Sequence, residues 1–241
     1  MAIACLPDDG ASRRSLDRMD TVEYAAGRLA DLFGDPAHPT VLIWHGMQSN
    51  ARASVRPLAE RVAAHGLAVV APDWDSQADD GGRSDLLQSL RFAQQTGDSS
   101  DGLTLVGWSM GGLAAAGLTA HAARHDVLLR RTVCLAGAFT APDPISGREP
   151  TSALAGSAQR SPFVLLHGIR DDVVPISASR RFAADLEEHG WPVELVELDA
   201  DHASIAGAGY DRVADRYNAA CDGESLAVAA DVAARIAAGP G

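Results

Sequence analysis

Short, mainly apolar runs rich in strand-forming residues recur along the chain, separated by longer segments with helical periodicity. The apolar runs are TVLIW (40–44), AVVAP (68–72), LTLVG (103–107), TVCLAG (132–137), FVLLHG (163–168) and VELVEL (193–198). The helical segments span 55–66, 83–97, 110–125 and 177–190. Continuous apolar strands alternating with helices are typical of a parallel sheet buried on both faces. We therefore predict an α/β fold: a mostly parallel sheet flanked by helices on both faces.

Two segments depart from this alternation. Residues 21–34, TVEYAAGRLADLFG, contain two strand-like pieces around Gly27 and predict an antiparallel hairpin at the sheet edge. Residues 139–161 are rich in Pro, Gly and Ser and predict a loop that could contain one helical turn. Without repeats or a second apolar series, residues 1–241 are expected to form a single domain, with 1–19 as a poorly ordered N-terminal segment.

Charge and composition narrow the classes of partner. The formal net charge is -12, and no cationic cluster appears, so neither nucleic acid nor an anionic membrane is expected as the partner. All 20 basic residues are arginine, which excludes Schiff-base, phosphate-loop and serine–lysine chemistry. Three cysteines without a paired spacing, and an N-terminus without a signal-peptide pattern, predict a cytoplasmic protein.

The stretch GWSMGG (107–112) places a serine between two glycines where a predicted strand meets a predicted helix. Such a strand–turn–helix exposes the serine at the carboxyl edge of the sheet, where open α/β folds bind ligands. Gly107 and Gly111 suit the close approach of strand and helix, and the N–H of Met110 lies at a helix N-terminus, where negative charge is stabilised. Ser109 is therefore a candidate nucleophile, although a serine that merely caps a helix would give the same local pattern.

A serine hydroxyl needs a base, and the base needs a group that orients it. Asp171 follows one later strand in FVLLHGIRDDVVP, and His202 follows the last in VELVELDADHAS. The chain order Ser109, Asp171, His202 is the order found in α/β-hydrolases.

The chain resembles the α/β-hydrolase superfamily from about residue 22 to 236. VLIWHG (41–46) is similar to the strand and His-Gly pair of that family, GWSMGG to its nucleophile elbow, and LLHGIRDDVVP (165–175) to its acid loop. Residues 165–202 are most similar to dienelactone-hydrolase-like and prolyl-oligopeptidase-like catalytic domains. The resemblance implies that Ser109 is the nucleophile, His202 the base, and Asp171 the residue that orients His202. It implies an oxyanion hole formed by the N–H groups of Met47 and Met110, and a reaction without cofactor or metal.

Other residues compete for these roles. Asp172 adjoins Asp171, but the spacing to the His-Gly pair and to the Val-Pro pair favours Asp171. His45 and His167, which both precede glycine, and Asp73, which ends a strand, correspond to structural residues of the family. The sequence HGMQSN lacks the repeated glycines of many carboxylesterases, so Met47 and Gln48 are expected to line the mouth of the site. Trp74 and Trp108 adjoin strand ends and are candidates either for substrate contact or for packing.

These features predict a serine hydrolase of the carboxylesterase type that cleaves small esters. Only residues 139–161 are available for a lid, so no large cap domain is expected. The same triad would serve a thioesterase or a peptidase, and a non-catalytic ligand-binding protein can also keep it. Residues 205–225 are longer than a direct join to the last helix requires, and they are expected to form an extra helix near the site or at the contact of a homodimer.

Overall fold

The computed structural model describes residues 19–238. The expectation for the N-terminal segment lies outside these residues, except for Met19, which begins the first strand. The main sheet has eight strands: β1 (Met19–Ala25), β2 (Arg28–Phe33), β3 (Thr40–Trp44), β4 (Ala68–Pro72), β5 (Leu103–Trp108), β6 (Leu129–Leu135), β7 (Phe163–Gly168) and β8 (Val193–Leu198).

The strand order is β1-β2-β4-β3-β5-β6-β7-β8. In this order, each strand from β4 to β8 is parallel to its neighbours on that side of the sheet: β4 to β3, β3 to β5, β5 to β6, β6 to β7 and β7 to β8. Strand β2 runs antiparallel to both β1 and β4. The predicted edge hairpin is therefore confirmed, with Gly27 in the turn at φ 72°. The residues of β3, β4 and β5 are all buried, which explains why these strands have no polar face.

Five helices cover the two faces of the sheet: α1 (Arg56–Ala64), α2 (Arg83–Thr96), α3 (Met110–Ala120), α4 (Ser177–Glu188) and α5 (Gly223–Ala237). One buried cluster joins the sheet to α2, α3 and α4, and the other joins it to α1 and α5. This arrangement confirms the predicted α/β fold with helices on both faces. Within residues 19–238, no helix is long and apolar enough to cross a membrane.

Two element boundaries differ from the prediction by three residues or more. Strand β6 begins at Leu129, earlier than the apolar run TVCLAG, because the buried guanidinium of Arg131 donates hydrogen bonds to carbonyl groups at the end of α5. A charged residue thus occupies a buried strand position that a hydrophobicity pattern rejects. Helix α3 ends at Ala120 and is followed by a 3-10 turn at Ala122–His125, so the predicted segment 110–125 is two elements.

The segment after β6 contains a 3-10 helix, Pro150–Gly156, and no larger insertion. It packs over α3 and α4, with Leu154 buried and its carbonyl accepting a hydrogen bond from the indole N–H of Trp191 at 3.1 Å. The predicted loop is present, but its helical part is longer than one turn, because a 3-10 helix of seven residues makes about two turns. No large cap covers the sheet edge within the described chain.

Candidate active site

Ser109 stands at the turn between β5 and α3 in a strained backbone conformation. Its φ of 56° and ψ of -117° lie in a region that residues with a side chain rarely adopt. Hydrogen bonds hold it there: its N–H donates to the carbonyl of Leu135 at 2.9 Å, and its carbonyl accepts from Ala138 at 3.2 Å and Leu113 at 3.1 Å. Strain that the surroundings hold in place is common where a side chain must be presented to a ligand.

The glycines beside Ser109 are required by backbone contacts. A Cβ on Gly107 would lie 2.1 Å from the carbonyl oxygen of Gly111, and a Cβ on Gly111 would lie 2.3 Å from that of His45. The predicted close approach of strand and helix is therefore present at this turn.

Asp171 and His202 meet in the loops that follow β7 and β8. Nδ1 of His202 lies 2.8 Å from Oδ2 of Asp171, and both side chains are buried. The other carboxylate oxygen of Asp171 accepts the backbone N–H groups of Val173 at 2.9 Å and Val174 at 2.8 Å. Because a carboxylate only accepts, the proton of the imidazole lies on Nδ1, which leaves Nε2 of His202 as the free basic atom.

The electrostatic environment keeps Asp171 ionised. Burial acts to raise the pKa of this carboxyl, but hydrogen bonds from His167 and His202 outweigh burial and hold the pKa well below its usual range. Asp172, the competing carboxylate, is exposed and makes no contact with His202 among the described residues.

His167 contacts the same carboxylate, which sequence reasoning did not anticipate. Its Nε2 lies 2.9 Å from the carbonyl of Val174 and 3.3 Å from Oδ2 of Asp171, and its Nδ1 lies 2.7 Å from the hydroxyl of Ser179. A carbonyl accepts only, so the proton lies on Nε2. His167 is thus a buried structural residue, as expected, that also supports Asp171.

Ser109 and His202 line one pocket, and Asp171 lies behind His202. Within residues 19–238, neither the Ser109 hydroxyl nor Nε2 of His202 makes a hydrogen bond to the protein. Such contacts are often long in structures without substrate and shorten when substrate binds. The remaining wall consists of Gly46, Met47, Gln48, Ala51, Trp108, Val173 and Tyr217. The pocket has a volume of about 100 Å³.

The two predicted oxyanion donors flank Ser109. Met47 is part of the pocket wall, and Met110 is the first residue of α3, where a helix leaves its N–H groups without an internal partner. Neither N–H donates to an acceptor in the part of the chain that the structure describes. The absence of a protein acceptor is what the predicted role of these two N–H groups requires.

The two tryptophans proposed for substrate contact differ. Trp108 lies in the pocket wall, whereas Trp74 is fully buried, stacks on His45 at 5.6 Å and donates its indole N–H to the carbonyl of that residue at 3.1 Å. Of the two roles left open for Trp74, substrate contact or packing, its position agrees with packing, because its ring stacks on a buried imidazole.

His45 is structural, as expected. Its Nε2 accepts the backbone N–H groups of Ala51 and Trp74, each at 3.2 Å, while its Nδ1 lies 2.8 Å from the carbonyl of Gly46. Burial lowers the pKa of His45 to about 4, so the imidazole is neutral and holds the loop that leads to Met47.

Asp73 is also structural, since its carboxylate pairs with Arg52. Among the described residues no group of three His, Cys, Asp or Glu side chains could hold a metal ion.

Residues 208–219 form a β-hairpin, which follows a 3-10 turn at Ser204–Ala206 and precedes α5, so a hairpin stands where an extra helix was predicted. The hairpin consists of β9 (Ala208–Asp211) and β10 (Arg216–Ala219). The ring of Tyr217 packs at 5.0 Å against Trp108 and 6.0 Å from His202. The paired tyrosines Tyr210 and Tyr217, both strand formers, were the signal for strands in this segment.

Comparison with known proteins identifies the fold. No protein-family model and no curated protein matches the sequence. Solved α/β hydrolases match the structure. Esterase 2 of Thermogutta terrifontis, phosphoramylated by tabun, has a TM-score of 0.69 and 16% identity over 93% of this chain and 96% of that one. Esterase B of Lactobacillus rhamnosis, solved with a tributyrin phosphonate, has a TM-score of 0.68 and 16% identity over 91% of this chain and 84% of that one.

A third match is the S-formylglutathione hydrolase of Staphylococcus aureus, with a TM-score of 0.63 and 16% identity over 80% of this chain and 93% of that one. At this identity the likeness establishes the fold and not the activity. The chain has the α/β-hydrolase fold, as the motifs around Ser109 and Asp171 predicted.

Proposed function

We propose that the protein is a serine hydrolase that cleaves small carboxylic esters through an acyl-enzyme intermediate. The observation that carries the proposal is the buried pair of His202 and Asp171, joined at 2.8 Å, in a site where His202 shares a pocket with the strained Ser109. A neutral imidazole with a free Nε2 and a serine hydroxyl that lines the same pocket are the two groups that acyl transfer by serine requires.

In the first half of the proposed reaction, Nε2 of His202 takes the proton of Ser109 as the hydroxyl oxygen attacks the ester carbonyl. The imidazolium that forms is stabilised by the ionised Asp171. The N–H groups of Met47 and Met110 bind the oxyanion of the tetrahedral intermediate. His202 then returns the proton to the departing alcohol, which leaves the acyl group on Ser109.

In the second half, His202 takes a proton from water as the water oxygen attacks the acyl-enzyme carbonyl. The same two N–H groups bind the second oxyanion, and the proton passes back to Ser109 as the carboxylic acid departs. Each half ends with His202 neutral, so the site returns to its starting state.

The size of the pocket supports a short acyl group. Its volume of about 100 Å³ holds several heavy atoms, and a longer chain would extend over the rim. The exposed side chains of Met47 and Val173 make that rim apolar. The esterases of similar fold, one of them solved with a tributyrin phosphonate, are consistent with this substrate class.

Hydrolysis of p-nitrophenyl acetate, butyrate and decanoate tests the proposal. The wild type should turn over the two short esters fastest, Ser109→Ala should lose nearly all turnover, and Ser152→Ala, which changes an exposed serine outside the pocket, should behave as the wild type. Equal rates for wild type and Ser109→Ala would contradict it. If the enzyme prefers thioester or amide analogues and this activity also depends on Ser109, the mechanism stands but the substrate is a thioester or an amide.

A further inference from the structure

We infer that Gln48 is a positioning residue that fixes the proposed oxyanion donor Met47 by anchoring its loop to the hairpin β9–β10. The inference deepens the proposed function and rests on it. Oε1 of Gln48 accepts the backbone N–H of Tyr217 at 2.7 Å, across 169 positions of the chain. Residues 45–50, which carry Met47, are called the Met47 loop below.

The amide of Tyr217 is directed away from its own strand pair. Tyr217 lies opposite Tyr210 in the antiparallel hairpin, and its N–H donates to Gln48 instead of to β9. Residues facing each other across such a ladder alternate between bonded and non-bonded pairs, so this N–H belongs to a non-bonded pair. Gln48 thus supplies the acceptor that an edge strand lacks.

The Met47 loop is held from the opposite side by the segment after β4. The carbonyl of Met47 accepts the hydroxyl of Ser76, and the N–H of Asn50 donates to the carbonyl of Trp74 at 3.1 Å. The side chain of Met47 is 56% exposed and so contributes little packing. The orientation of the peptide around Met47 therefore depends on hydrogen bonds, and Gln48 provides the one directed to the hairpin.

The hairpin that receives this bond also contacts the other groups of the site. The ring of Tyr217 meets Trp108 nearly edge-on, with an interplanar angle of 85°, and lies beside His202. Tyr217 thus binds Gln48 of the Met47 loop through its backbone amide and packs beside His202 through its ring. A shift of the hairpin would move the oxyanion donor relative to Ser109.

A direct contact between Gln48 and substrate is the competing role, because Gln48 also lines the pocket. The two roles use different atoms. Positioning needs the oxygen of the side chain as an acceptor, whereas a substrate contact would use the amide N–H groups, which make no hydrogen bond among the described residues. Gln48→Met removes the acceptor at similar length, and Gln48→Glu keeps an acceptor while removing the donors.

Two measurements on the full chain test the inference: the rate at which a fluorophosphonate probe labels Ser109, and amide hydrogen exchange. In Gln48→Met we expect labelling to slow by about tenfold to a hundredfold, since a misplaced oxyanion donor raises the barrier for attack. We expect faster exchange in residues 45–50 and at Tyr217. Gln48→Glu should retain the slow exchange at Tyr217, and the exposed control Gln95→Met should match the wild type in both measurements.

If the probe labels the wild type but amide exchange is unchanged in Gln48→Met, the positioning role of Gln48 is refuted and the proposed function stands. Faster exchange at Tyr217 with unchanged labelling would also overturn the positioning role, because the bond would then be irrelevant to Met47. A wild type that the probe does not label would refute the proposed function, and with it the assignment of Met47 as an oxyanion donor.

Discussion

The indole N–H of Trp108 donates to the backbone carbonyl of His202 at 2.8 Å. Trp108 immediately precedes Ser109, so one residue joins the backbone of the proposed nucleophile to the loop of the proposed base. The ring of Trp108 also packs 5.5 Å from that of His202. One side chain thus links the backbone beside Ser109 directly to the loop that carries His202.

Trp108→Phe keeps an aromatic ring and removes this hydrogen bond. A neutral hydrogen bond contributes about 1 kcal/mol, so we expect kcat/KM for p-nitrophenyl acetate to fall about fivefold, chiefly through kcat. Trp191→Phe is the matched control, because it removes a similar indole bond, to the carbonyl of Leu154 at 3.1 Å, outside the pocket. Equal losses of kcat/KM in both variants would show that Trp108 acts only on stability.

The two adjacent carboxylates should respond very differently to amidation. In Asp171→Asn the side chain offers an N–H to Nδ1 of His202, which favours the wrong tautomer, and we expect kcat to fall by about 10³-fold to 10⁴-fold. Asp172→Asn changes an exposed group and should leave kcat within about twofold of the wild type. Steady-state kinetics of the two variants shows which carboxylate orients His202. A larger loss of kcat in Asp172→Asn would make our assignment of Asp171 wrong.

His45 should make the free energy of unfolding depend on pH. Its pKa is lowered by burial from 6.5 to about 4, so between these values the unfolded chain binds more protons than the folded one. Stability should be complete above about pH 6.5 and should fall toward pH 4 by about 1.4 kcal/mol per unit, or about 3 kcal/mol in total. Urea unfolding at pH 7, 6 and 5 measures this slope.

His45→Gln provides the reference for that measurement, because glutamine does not titrate and offers an acceptor to the same N–H groups. The wild type should lose more stability than this variant between pH 7 and 5. Parallel pH dependences would show that His45 is not the group responsible.

Alanine in the turn around Ser109 should destabilise the fold. The added Cβ of Gly107→Ala or Gly111→Ala would meet a backbone oxygen at 2.1 Å or 2.3 Å, and backbone cannot move aside as a side chain can. We expect a loss of about 3 kcal/mol or more in each. Gly156→Ala, where nothing lies within 4 Å, should change stability by less than about 0.5 kcal/mol in thermal unfolding. A Gly107→Ala variant as stable as the wild type would contradict the packing described for this turn.

The fold was predictable wherever hydrophobic periodicity determines structure. TVLIW, AVVAP, FVLLHG and VELVEL coincide with β3, β4, β7 and β8 residue for residue, because each is a short, mainly apolar stretch bounded by polar residues or turns. Strand β6 departed from this rule because buried Arg131 finds its acceptors at the distant end of α5, a tertiary contact that no local pattern encodes.

The site was predictable only in part. The strand ends brought Asp171 to His202 as expected from the topology, since carboxyl ends of parallel strands lie at one edge. The contact of His167 with Asp171 depends on the path of one loop, and the bond of Gln48 to Tyr217 joins residues 169 positions apart. The hairpin itself lacks an Asn-Gly or Gly-Gly turn, and Asp215 takes the left-handed conformation at φ 48° instead.

The hairpin leaves and rejoins the chain at nearly one point. Ala208 pairs with Ala219, and the N–H of Ala220 donates to the carbonyl of Gly207 at 2.9 Å. Residues 212–215 at its tip are exposed, and Val213 is 98% exposed. Insertions or deletions at the tip would therefore leave His202 and α5 anchored while remodelling the surface beside the pocket. Under the proposed function, this is a route by which evolution or engineering can alter which substrates reach Ser109 without rebuilding the proposed triad.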